Sequence, residues 1–206
     1  MPVTRSAVAD RRPPHYGPLM KIRDARVVDA PAACHVLRRS IIELCAADHR
    51  NDPAILAKWL ANKTPEIVAS WITQPGNSVL LVVESGDILG VGSVTDAGRI
   101  TLNYVSPDAR FRGVSRALLN ALETRAAERG NTRCTLSSTE TARRFYRAAG
   151  YVEAGPPASE FGTRSGYPMT KDLAFPGKDA ISPAETGRDG VLQPAPPSIV
   201  RIVPDV

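Results

Sequence analysis

The chain of 206 residues and 22.1 kDa, with 43% hydrophobic and 23% charged side chains, suits one globular domain with extensions and leaves no room for two full domains. Net charge is +5 from 26 basic and 21 acidic residues, which suits an anionic ligand, yet the basic residues are scattered and nucleic acid binding is not indicated. Three cysteines without C-x-x-C spacing argue against a disulfide framework or a zinc ribbon, and the longest strongly apolar run, residues 79–83, is far short of the roughly 20 residues that cross a bilayer.

At the N-terminus, Met-Pro-Val-Thr-Arg-Ser lacks the apolar stretch of a secretory signal, and a cytoplasmic protein is expected. Of the 18 prolines, four fall in residues 1–19 and six in residues 174–206. Both segments are therefore expected to be disordered extensions around a domain at residues 20–173, with Met20 as an alternative start. Residues 21–28 read as a first strand, and Asp29 with Pro31 as the capped start of a helix reaching about Ala47 with Ala33, Val36, Leu37, Ile41, Leu44 and Cys45 on one face. Asp52-Pro53 and Thr64-Pro65 open two short helices in which Trp59 and Trp71 take apolar, core-facing positions. Three strands follow at residues 78–84, 88–95 and 100–105, separated by Ser85-Gly86-Asp87 and by a turn at residues 96–99, which predicts an antiparallel meander. Leu118, Leu119, Ala121, Leu122 and Ala126 mark a helix closed by Gly130. A strand at 133–137, a helix at 140–149, a strand at 151–154 and a last strand at 168–173 complete the order. The class is α/β (α+β): a mixed, largely antiparallel central sheet flanked by helices.

Chemistry concentrates between the third strand of the meander and the helix after it, where Tyr104, Val105, Ser106 and Pro107 lead into Arg110-Phe111-Arg112-Gly113-Val114-Ser115-Arg116. A helix N-terminus presents unpaired N–H groups and partial positive charge, and a glycine just before it lets an anion approach the backbone. Arg110 and Arg112 would add charge, and Ser115 a hydroxyl donor. Taken alone, R-x-x-G-x-S is equally a solvated arginine, a turn glycine and a helix-start serine. Gly90-Val91-Gly92 lies inside a strand pattern without a third glycine and is no dinucleotide fingerprint. The three histidines lack metal-ligand spacing, and no metal is expected.

In its setting, Arg110-x-x-Gly113-x-Ser115 resembles the acyl-CoA pyrophosphate motif Q/R-x-x-G-x-G/A of the GNAT superfamily of acetyltransferases. Thr139-Glu140-Thr141-Ala142-Arg143-Arg144-Phe145-Tyr146, running on to Gly150-Tyr151, resembles its second signature, N-x-x-A-x-x-F/L-Y-x-x-x-G-F. Ser115 stands where the family has glycine or alanine, and Thr139 where it often has asparagine. The resemblance spans about residues 20–173. It implies acetyl-CoA as acyl donor and a small-molecule or peptide amine as acceptor, with a homodimer left open. Tyr104, Val105, Arg110, Phe111, Arg112, Gly113, Val114, Ser115, Arg116 and Thr139 would surround the donor. The family's strand before the cradle splays from its neighbour to admit the pantetheine. The Val105 amide would then stabilise the oxyanion and Tyr146 would protonate the departing thiolate.

No general base is visible, since residues 100–105 carry no carboxylate. Glu43, Asp48, His49 and Asp52 cluster at the end of the first long helix, bordering the family's acceptor site, and His49 is a candidate base or substrate contact. The segment 157–167, with Glu160, Arg164 and Tyr167, reads as a loop able to cap that site. The missing base keeps a second reading open, an acyl-CoA-binding or sensing module without turnover.

Overall fold

The computed structural model of the chain describes residues 20–160 and 163–173; the disorder expected of residues 1–19 and 174–206 lies outside these. The strands are β1 (Lys21–Asp24), β2 (Asn77–Glu84), β3 (Asp87–Thr95), β4 (Arg99–Val105), β5 (Arg133–Ser138), β6 (Val152–Glu153), β7 (Ala158–Glu160) and β8 (Thr163–Asp172). The helices are α1 (Ala30–Leu44), α2 (Ala46–His49), α3 (Pro53–Leu60), α4 (Pro65–Thr73), α5 (Val114–Glu128) and α6 (Glu140–Ala148). They build a mixed sheet of order β1-β2-β3-β4-β5-β8-β6, with β7 paired to β8. Every pairing is antiparallel except β4 with β5. Among the described residues no helix is long and apolar enough to cross a membrane.

The alternation of strand side chains explains why the most apolar run sits in β2. Val79 and Leu81 join Ala33, Leu37 and Val68 of α1 and α4 on one face. Leu80 and Val82 join Leu118, Leu119 and Leu122 of α5 on the other. Gly90 and Gly92 in β3 are spacers for α5: a Cβ at Gly92 would lie 2.9 Å from both Leu118 Cγ and Leu122 Cδ1, and one at Gly90 would lie 2.9 Å from a Val114 methyl. Their absent side chains let the helix that carries the cradle lie flat on the sheet.

Three boundaries differ from the sequence expectation. The first strand stops at Asp24, because Asp29 turns back to accept the Arg26 N–H at 2.8 Å and the Arg23 guanidinium at 2.7 and 2.8 Å, closing a 3-10 turn at Val27–Asp29. The guanidinium beside it holds the Asp29 carboxyl down to about 2, against burial, and α1 starts without a side-chain cap. The first long helix breaks after Leu44 into α1 and α2, and the chain leaves α2 through left-handed Arg50 and Asn51. The segment read as a loop at 157–167 contains the β7–β8 pairing, so β8 begins at Thr163 rather than Pro168.

Candidate active site

Strands β4 and β5 pair only at Arg99 with Thr135 and Ile100 with Leu136, and then part. A bulge contributes: Ser93 of β3 faces Leu102 and Val94 faces Ile100, so Thr101 is an extra residue that bends β4 where it leaves its neighbour. Ser106 donates its N–H to Leu89 O at 2.8 Å across β3. By the alternation of an antiparallel ladder, the N–H groups of Val105 and Asn103 point the other way, into the gap. A cavity of about 390 Å³ fills this gap, walled by residues 100–105, by Leu136, Ser137 and Thr139 after the split, by the start of α5, and by Phe145 and Tyr146 of α6. Ser40 and Leu44 of α1 and Cys45 just after it complete the lining.

Helices α3, α4 and α6 each begin on a capping side chain, from Asp52, Thr64 and Thr139 respectively. Helix α5 has none. Its N-cap is Gly113 at φ +79°, a left-handed conformation that glycine adopts without cost, and a Cβ there would meet nothing within 4 Å. The first-turn amides of α5 are left uncapped at the mouth of the cavity, a ready site for an anion. Arg110 lines the same mouth with its guanidinium 4.7 Å from the Phe111 ring centre. Phe111 is 90% exposed and left-handed at φ +62°.

Tyr146 is 7% exposed, edge-on to Phe145 at 5.1 Å and to Tyr151 at 5.6 Å, and reaches the cavity. Burial pushes its phenol up to about 12, opposed only by the side-chain amide of Asn103. Asn103 also lines the cavity, and its Oδ1 is shielded from solvent without a hydrogen-bond partner. Among the described residues no group of three or more histidine, cysteine or acidic side chains is placed to hold a metal ion.

The profile of the acetyltransferase (GNAT) domain matches residues 45–173. The chain belongs to the GNAT acetyltransferase family. It is an acyltransferase, built on the GNAT fold. A GCN5-related N-acetyltransferase from Rhodopseudomonas palustris superposes with a TM-score of 0.67 at 27% identity, over 76% of this chain and 96% of that one. The PaiA N-acetyltransferase of Thermoplasma acidophilum, solved with coenzyme A, superposes at 0.65 and 16% identity, over 75% and 99%. The ribosomal-protein-S18-alanine N-acetyltransferase of Escherichia coli does so at 0.56 and 20% identity, over 80% and 100%. No curated protein matches the sequence.

Within this acetyltransferase, Tyr104, Val105, Arg110, Phe111, Gly113, Val114, Ser115, Arg116, Thr139 and Tyr146 all meet around one cavity. Arg112 does not: its guanidinium turns away to Glu84 of β2 at 2.7 and 2.8 Å, leaving only its backbone near the cradle. The Val114 side chain belongs to the core, and Arg116 bridges to Ala148 O at 3.3 Å, tying α5 to the end of α6. Thr139 spends its hydroxyl on the Ala142 N–H at 3.2 Å.

The cluster considered for a base is occupied elsewhere. His49 is fully buried; Nδ1 accepts the Asn51 N–H at 3.0 Å and Nε2 lies 3.2 Å from Ile42 O, an arrangement that requires a neutral ring with its proton on Nε2. Asp52 caps α3, and Glu43 pairs with Arg39 at 2.7 Å. Asp48 reaches across 92 residues to accept the Glu140 N–H at 2.7 Å, and also takes the N–H and hydroxyl of Thr141, at the start of α6. Tyr167 stacks under Arg143 at 4.2 Å, while the capping expected of Glu160 and Arg164 lies outside the described side chains. Sequence reasoning missed Asn103 and the cap formed by Asp48. Only the sheet register and a 92-residue contact reveal them, and neither leaves a local signal.

Proposed function

We propose that this acetyltransferase moves an acetyl group from acetyl-CoA to a primary amine by direct attack, without a covalent enzyme intermediate. The observation that carries this reading is the uncapped N-terminus of α5 opening onto the β4–β5 gap, with a buried tyrosine on the opposite wall. Among the described residues no side chain caps those amides, and an anion of pyrophosphate size would. The donor supplies an activated carbonyl and a thiolate leaving group.

The amides of Gly113, Val114 and Ser115, with Arg110, hold the pyrophosphate. The Val105 N–H, directed into the gap, donates to the thioester carbonyl oxygen as negative charge builds there. The amine nitrogen bonds to the carbonyl carbon, the carbon–sulfur bond breaks, and the Tyr146 hydroxyl gives its proton to the sulfur. The amine's surplus proton leaves to water, and Tyr146 regains one from solvent. Burial that drives the phenol to about 12 also removes water from the sulfur and raises its basicity, so the transfer remains matched.

The test is single-turnover transfer by Tyr146→Phe with an amine panel, following thiol release. The ring and its packing are kept, so turnover should fall at least about tenfold while coenzyme A affinity by calorimetry is unchanged. An acid at about 12 is fully protonated below about pH 11, so the wild type should show no alkaline loss of rate through pH 10. Equal single-turnover rates would remove the acid role. Coenzyme A binding with no thiol release from any amine would favour the non-catalytic module, a reading supported by the absence of a free base among Glu43, Asp48, His49 and Asp52.

A further inference from the structure

Asn103 occupies the stretch of β4 that has lost its β5 partner, two residues before Val105. Alternation puts its side chain on the same face as that of Val105, the face covered by α5 and α6. There it lines the same cavity as Tyr146, with its amide near enough to lower the phenol against burial. A carboxamide has a donating and an accepting end, and here Oδ1, shielded from solvent, has no partner. Buried polar atoms in folded proteins are almost always paired, because an unpaired one has lost its water and gained nothing in return. This one lines the cavity, so a ligand can pair it.

We infer that Asn103 is a two-ended positioning residue of the reaction centre: Nδ2 fixes the Tyr146 hydroxyl oxygen so that its proton faces the leaving sulfur, and Oδ1 receives an N–H from the bound reactants. That N–H comes either from the acceptor amine or from an amide of the donor's pantetheine arm. A neutral amide can orient an N–H but cannot keep its proton, which agrees with a cavity where no carboxylate projects from β4. The inference rests on the donor and acceptor roles proposed above and adds a residue that neither sequence motif contains.

Two substitutions separate the two ends. Asn103→Leu keeps the approximate size and removes both. It should weaken binding of the N–H partner by about tenfold, the loss that accompanies one unpaired buried group, and should lower turnover as well. A rise in the coenzyme A dissociation constant by calorimetry assigns Oδ1 to the pantetheine arm; a rise in the amine KM with coenzyme A affinity unchanged assigns it to the acceptor. Asn103→Asp keeps an acceptor but loses the donor and places negative charge beside the phenol. It should leave both binding constants within about twofold while turnover falls at least about tenfold. A merely structural asparagine would not produce that split. Wild-type binding and turnover in Asn103→Leu, with coenzyme A still bound, overturns the inference alone. Equal losses of binding and turnover in both variants, tracking a fall in melting temperature, overturn it too. Failure of the unaltered protein to bind coenzyme A would instead overturn the function on which the inference stands.

Discussion

Gly113 shows how one residue can decide whether a helix start is a cap or a binding site. Its φ of +79° belongs to the left-handed region, and the space above its α-carbon is open. Valine there would meet no steric wall but would adopt a conformation costing about 1–2 kcal/mol and would place two methyl groups before the amides of Val114 and Ser115. We expect Gly113→Val to fold, to melt a few degrees lower, and to bind coenzyme A at least about tenfold more weakly by calorimetry. Unchanged affinity would move the pyrophosphate elsewhere. Arg112 teaches the opposite lesson at the same scale. Its position in the motif gives it a place at the cradle, yet Glu84, only 14% exposed on β2, takes its side chain. Sequence proximity to a site does not fix side-chain direction.

Among the elements, α6 is the one whose placement depends most on distant chain. Its first three amides are all satisfied, Ala142 by Thr139 and Glu140 and Thr141 by Asp48, so its N-terminus offers no anion site, in contrast to α5. Asp48 is buried at 6% exposure, and its negative charge complements the helix dipole. Asp48→Ala would take a charged acceptor from two amides and a hydroxyl, costing about 2–3 kcal/mol, and should lower the melting temperature by roughly 5–10 °C in a domain of this size. Because Tyr146 rides on the same helix, turnover should fall more than coenzyme A affinity, whereas Asp48→Asn, which keeps one acceptor, should recover part of both. A melting temperature equal to wild type in Asp48→Ala would show that the clamp adds nothing. The helix thus links stability to the site: the same bonds that cap it hold Tyr146 against the cavity.

At the scale of the molecule, the described residues between 20 and 173 supply a sheet of eight strands, an apolar cluster on each of its faces and the lining of the cavity. Strand β1 starts at Lys21 and, among the described residues, pairs with β2, so a cut before Met20 leaves that ladder whole. We therefore expect a chain trimmed to residues 20–175 to fold and to bind coenzyme A within about twofold of the full chain. A loss of more than about tenfold would assign part of the donor site to the residues removed.

Apart from the break between α1 and α2 and the β7–β8 pairing, the elements and their order were legible in the sequence because each is written locally. Asp52-Pro53 and Thr64-Pro65 are caps that act on the next turn, the meander is strand-period apolar residues between glycine turns, and Leu118 with Leu122 repeats at helical spacing. The glycine-led start of α5 beside Arg110 was legible for the same reason, since it needs only neighbouring residues, and two motifs in order pointed to the family. What only the tertiary structure decided are the relations between segments far apart in the chain. These are the parting of β4 from β5, the diversion of Arg112 to Glu84, the use of Asp48 on α6, and the placing of Asn103 and Tyr146 in the lining of one cavity. Hydrogen bonds and packing act over a few ångströms in space without regard to separation along the chain, so a side chain's task is settled only when the fold has chosen its neighbours.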